Sequence, residues 1–178
     1  MTDHLAPNRR GVAFAAALTL TLAVWIVLSV ANAPLRTSAA PAGIISLELA
    51  GTVERAASIL ASWSAPQREA AAFGLGLDFL FLFLYPITIS IGCRMVARRI
   101  APHSARWSLV GTALALAVPL CIVLDSIENA ALWRMLALGP MSPWPAVAAA
   151  AAYPKFALVL LGIGYLIVGW LRSRRPTP

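Results

Sequence analysis

The chain has 178 residues, a formal charge of +7 and a composition that is 60% hydrophobic but only 12% charged. Soluble domains carry charge on about a quarter of their residues, so an ordinary soluble globule is excluded and a mean hydropathy of +0.80 points to a membrane protein. Nucleic acid is excluded as a partner, because the basic residues sit at the ends of apolar segments instead of forming one patch interleaved with aromatics.

Four apolar segments, 11–31, 72–96, 107–131 and 146–171, are each long enough to cross a bilayer, which takes about 20 helical residues. They predict an all-α polytopic membrane protein: a cytoplasmic tail over 1–10, then a single four-helix domain over 11–178. The first segment holds no ionisable residue, only Thr19, Thr21 and Ser29, and forms a wall of the bundle. Its basic start and Ala31-Asn32-Ala33 imitate a signal peptide. The apolar run is longer than the usual signal core of about 7–15 residues, and Pro34 would directly follow the cut, so the segment is expected to be retained.

Pro34 and Pro41 mark a loop over 32–43. From 44 to 63, Ile45, Leu49, Val53, Ala56, Leu60 and Trp63 recur at helical spacing, while Glu48, Thr52, Arg55 and Ser58 occupy the opposite face. This predicts one amphipathic helix, too polar to span, lying at the outer interface as a cap. In the second span, Arg68 and Glu69 open the helix. Gly74, Gly76 and Asp78 precede the alternating aromatics Phe79, Phe81, Phe83 and Tyr85, and Pro86 predicts a kink beside Asp78. The third span has Gly111 and Ala115 for close packing, then Pro119 as a second kink. Asp125, Glu128 and Asn129 follow at i, i+3 and i+4, hence on one face, with Arg134 to one side. Residues 139–145 form a proline-rich loop. In the fourth span Pro154 predicts a break just before Lys155.

Basic flanks fix the topology, since cytoplasmic loops are rich in Lys and Arg. Arg9, Arg10, Arg94, Arg98, Arg99, Arg106, Arg172, Arg174 and Arg175 fall on one side if both termini are cytoplasmic. That predicts a multi-pass protein of the inner membrane. It puts Cys93 and Cys121 at opposite depths, too far apart for a disulfide, as free buried thiols.

The same topology gathers Asp78, Asp125, Glu128 and Lys155 near the outer ends of three spans. Ionisable groups on spanning helices are expensive and mark sites. Those four residues are the catalytic candidates, because paired carboxylates can keep one group protonated as an acid. Asn129, Glu48, Glu54, Arg55, Arg134, Tyr85, Trp133 and Tyr153 are the ligand-binding candidates around them. No metal and no cofactor are expected. The two histidines, His4 and His103, lie on the inner side, Lys155 and Arg134 compete with any cation, and no phosphate loop or hydrolase triad is present.

Three stretches, Glu48-Leu-Ala-Gly-Thr-Val-Glu-Arg55, Leu77-Asp-Phe-Leu-Phe-Leu-Phe-Leu-Tyr-Pro86 and Leu124-Asp-Ser-Ile-Glu-Asn129, resemble small bacterial four-helix membrane proteins of uncharacterised function. The resemblance covers most of the chain from residue 44 and implies no activity. Three functions fit the residues. The first is binding or acid–base modification of an amphipathic lipid or isoprenoid-like ligand, with membrane lipids as partners. The second is a non-catalytic scaffold or accessory subunit held by interhelical ion pairs. The third, proton- or cation-coupled transport, is disfavoured because the inner halves of the spans hold no acids. A cavity open to lipid would favour the first, and Lys155 in closed ion pairs the second.

Overall fold

A helix is the only single segment that can satisfy its own backbone polar groups inside a bilayer, so long uncharged runs commit to helix. The computed structural model describes residues 9–173. Most of the expected tail over 1–10, and Arg174 and Arg175, lie outside that range. The order is α1 (Arg9–Asn32), a 3-10 turn (Ala33–Leu35), α2 (Ile44–Glu48), α3 (Val53–Ala61), α4 (Ala65–Ile100), α5 (Ala105–Ala117), α6 (Leu120–Leu138) and α7 (Trp144–Ser173). No strand occurs among the described residues. Four stretches are long and apolar enough to cross a membrane: Gly11–Leu35, Ala65–Ile100, Ala105–Leu138 and Trp144–Arg172. The chain is an all-α polytopic protein.

The spans exceed their apolar cores because polar signals extend them. At 36 residues α4 is about 54 Å long, against a hydrocarbon thickness of about 30 Å. Its first turn is set by Ser64, whose N–H donates to Gln67 Oε1 at 2.8 Å, the reciprocal half of a capping box. Gln67 then donates to Pro34 O at 2.5 Å, tying the start of α4 to the 3-10 turn that follows α1.

The three span prolines do not act alike. Pro86 and Pro154 both lie inside continuous helices, so Pro154 does not interrupt the fourth span. Pro119 does separate α5 from α6. Proline has no N–H to give the carbonyl four residues back, which here is Ala115 O. Ser90 on α4 supplies the missing donor, with Oγ 2.5 Å from Ala115 O. One turn earlier, Gly111 leaves room for the Tyr165 side chain of α7, whose hydroxyl any Cβ there would strike. That hydroxyl donates to Trp107 O at 3.0 Å.

The helix expected over 44–63 is two helices. Gly51, at φ +71°, takes a left-handed conformation that ends the first. Thr52 begins the second as its N-cap, its Oγ1 accepting from Arg55 N at 3.3 Å. Together α2 and α3 form a cap over one end of the bundle. Asn32 at the end of α1 holds it, accepting from Ile44 N at 2.7 Å. Trp63 Nε1 donates to Leu35 O at 2.8 Å. Arg68 reaches back from α4 to the carbonyls of Leu60 and Trp63, capping α3.

Two apolar cores result. Leu35, Leu47, Ile59, Trp63, Leu132 and Met135 belong to the one that seals the cap to the bundle. Leu82, Tyr85, Ile89, Val118, Cys121 and Tyr165 belong to the one nearer the basic end. In the first, where the cap would otherwise meet water, burying each Leu or Ile stabilises by about 1.5–3 kcal/mol. On each of the three spans that contribute to it, the ionisable layer lies between these cores. Asp78 sits between Leu75 and Leu82, Glu128 between Cys121 and Leu132, and Lys155 between Ala148 and Tyr165.

Candidate functional site: a buried carboxylate–lysine layer

Helical spacing turns Cys121, Asp125, Glu128, Asn129, Leu132 and Met135 of α6 inward, and all are buried. The facing stripe on α7 is Ala148, Ala149, Ala151, Ala152 and Lys155. Alanines on that stripe let the two helices approach closely, so the Lys155 stem reaches α6 without a bulky neighbour. Lys155 Nζ lies 2.8 Å from Asp125 Oδ1 and 2.7 Å from Glu128 Oε1. From the cap, Glu48 at the end of α2 brings Oε2 to 3.9 Å. The ammonium also lies 4.7 Å from the Phe156 ring centroid.

Two further acceptors of the layer have their own donors. Tyr85 OH donates to Asp125 Oδ2 at 2.7 Å. Asn129 Nδ2 donates to Asp78 Oδ2 at 2.6 Å, which draws α4 to α6. Below them, Cys121 Sγ donates weakly to Lys155 O at 3.8 Å, and Cys93 Sγ to Gly162 O at 3.9 Å. Both thiols are free and buried, and the carbonyls they meet lie seven residues apart on α7.

Seven of the expected site residues therefore converge: Asp78, Asp125, Glu128 and Lys155 with Asn129, Glu48 and Tyr85. Five do not. Glu54 and Arg55 are exposed on α3, because the break at Gly51 rotates them away from Glu48. Trp133 and Tyr153 are exposed on the far sides of α6 and α7. Arg134 is exposed too, its guanidinium 5.2 Å from the Trp144 ring centroid, so it offers no charge to the carboxyls. Two contributors went unnoticed in the sequence, Phe156 and Cys121, since neither residue type signals a contact with an ammonium or its backbone.

With Arg134 outside, four carboxyls face one ammonium in a largely buried layer. Acids three residues apart on a helix lie about 5–6 Å apart, where two negative charges repel by about 3 kcal/mol at an effective dielectric of about 20. Holding a carboxyl protonated at neutral pH costs about as much, since each pKa unit is about 1.4 kcal/mol. Burial tips the balance toward the neutral form. At Glu48 burial is the largest influence and raises the carboxyl above its ordinary value. Lys155 pulls it down, Asp78 pushes it up, contact with Glu128 lowers it, and Asp125 raises it. Glu128 Oε2 is buried without a hydrogen-bond partner.

Two crevices lie elsewhere. A crevice of about 420 Å³ at the basic end is lined by Phe14, Gly92, Arg99, Leu166 and Trp170 among others. Another of about 240 Å³ lies between the start of α4 and the end of α6, lined by Arg68, Glu69, Trp133 and Leu136. Neither is lined by a carboxyl of the layer or by Lys155. Comparison with protein-family models, curated proteins and solved structures finds no match.

Proposed function

We propose that the chain is a non-catalytic membrane scaffold or accessory subunit, in which the buried layer clamps the cap to three of the four spans. The observation that carries this reading is the engagement of Lys155. Its ammonium is taken by Asp125 and Glu128 at hydrogen-bonding distance and approached by Glu48, and all four side chains are nearly inaccessible. A catalytic lysine or acid needs room for a reacting atom within hydrogen-bond reach, and the two crevices described above lie away from these groups. The setting is the inner membrane, with both termini cytoplasmic and the cap outside. This is supported by Arg94, Arg98, Arg99, Arg106 and Arg172 at the end opposite the cap.

One observation favours a second reading, acid–base chemistry on an amphipathic lipid or isoprenoid-like ligand. A clamp needs charge balance, and this layer has more carboxyls than cations. Lipid mass spectrometry separates the two. The scaffold reading expects no stoichiometric lipid on the purified protein and an unchanged lipid profile in a deletion strain. A lipid class that accumulates on deletion, and is cleared by wild-type protein but not by Glu128→Gln, would replace it with the second.

A further inference from the structure

We propose that the facing carboxyls of Glu48 and Glu128 form a buried proton-binding site, one shared proton closing the cap onto the bundle and leaving as the pH rises. The site follows from which oxygens already have a hydrogen. Asp78 accepts from the Asn129 amide. Asp125 accepts from the Tyr85 hydroxyl and from Lys155. Glu128 Oε1 accepts from Lys155, but Oε2 is fully buried and has no donor. Glu48 is the farthest of the three carboxyls from the ammonium, at 3.9 Å. Its carboxyl and that of Glu128 flank the same Lys155 nitrogen, at 3.9 and 2.7 Å, which sets the two acids side by side. Two ionised carboxylates have no hydrogen to place between them and repel. A proton on either one turns the same contact into an O–H···O bond, removes one negative charge and serves the edge of the layer that lacks a donor.

A metal ion is a poorer answer to the charge excess. Among the described residues no group of three His, Cys, Asp or Glu side chains is arranged to hold one, and the Lys155 ammonium stands where a cation would. The groups facing the pair come from three helices: Asp78 and Tyr85 on α4, Asp125 and Cys121 on α6, and Lys155 on α7. On α3 the charged groups are Glu54 and Arg55, both exposed. Glu48 sits at the cap, so its proton exchanges with the aqueous phase on that side. The proposal does not depend on whether the chain is a scaffold or an enzyme.

The sign follows from Glu48. Its carboxyl is raised above the ordinary value of 4.5, so the folded chain binds the proton more tightly than the unfolded chain. The stabilisation is whole below the ordinary value and is lost as pH climbs through the raised one. The cap is shut in acidic medium and loosened in alkaline medium.

Proton counting tests this. Full-length protein in detergent micelles is unfolded with dodecyl sulfate at neutral pH in weak buffer, and released protons are read with an indicator dye. Wild type is expected to release one proton more than Glu48→Gln or Glu128→Gln, whose amides replace the proton's hydrogen bond. Equal release would overturn the proposal. A second reading needs only the wild type to fold: its unfolding midpoint is expected to fall as pH is raised from acidic to alkaline. A midpoint that stays flat or rises, or an equally steep fall in a folded Glu48→Gln variant, would overturn it as well.

Discussion

Replacing Lys155 with methionine removes the one cation that salt-bridges the layer among the described residues while keeping an unbranched side chain of similar length. Packing against Phe156 and the α6 stripe is largely retained, so the loss reports charge. Asp125 and Glu128 would lose partners at 2.8 and 2.7 Å, and Glu48 its positive neighbour at 3.9 Å. Breaking one buried ion pair costs about 3–5 kcal/mol, because the charge left behind stays buried and uncompensated. Here three carboxyls are orphaned, but they can take up protons, which holds the loss near that range instead of a multiple of it. For a chain of this size each kcal/mol moves the unfolding temperature by about 2–4 °C, so the midpoint should drop by about 6–20 °C. Thermal unfolding of detergent-solubilised protein, followed by circular dichroism, measures it. The drop should shrink in acidic buffer, where the orphaned carboxyls protonate. A loss under about 1 kcal/mol at neutral pH, the scale of a surface ion pair, would refute the assignment of Lys155 as the buried counter-charge.

Glu128→Gln keeps an acceptor for Lys155 and gives the unpartnered oxygen's position a donor, so it should cost under about 1 kcal/mol. Glu128→Ala abandons Lys155 and leaves a void, and should cost about 3 kcal/mol or more in the same assay. Ser90→Ala should cost about 1–3 kcal/mol, since the Ala115 carbonyl loses its donor. In a Pro119→Ala background the cost should largely vanish, because residue 119 regains an N–H, and an equal cost in both backgrounds would dismiss this pairing. At Gly43, φ is +64° and an added Cβ would run into the Asn32 side chain. Gly43→Ala should therefore lose at least about 1–2 kcal/mol, with faster limited proteolysis in the loop over 36–43.

The spans and the inward face of α6 were legible because each rests on a local rule: apolar length for the spans, and i, i+3, i+4 spacing for Asp125, Glu128 and Asn129. The same rule, carried further, separates the residues that depart from the site. Arg134 is six positions beyond Glu128, which at about 100° per residue turns it roughly 120° off that face. Tyr153 is two positions from Lys155 and points nearly opposite. Position along the helix axes groups these residues, but azimuth decides contact. The break between α2 and α3 was harder to see, because Ile45, Leu49, Val53, Ala56 and Leu60 keep helical periodicity straight through it. The signal lay in Gly51-Thr52, a left-handed glycine followed by an N-cap, and it outweighs periodicity because each short helix is anchored by its own capping and burial. Which proline interrupts its span was not legible. Pro119 does so where a neighbouring hydroxyl serves the freed carbonyl, and that hydroxyl, on Ser90, belongs to another helix.

Hydrogen–deuterium exchange across the cap tests the clamp most directly. In wild-type protein the amides of α2 should be protected, including Leu49, which donates to Ile45 O at 3.1 Å. In a folded Lys155→Met variant, protection over 44–49 should collapse while the amides of α4 near Ile89 keep theirs. Unchanged protection of α2 in that variant would contradict the account, because the cap would then be held by its apolar contacts alone.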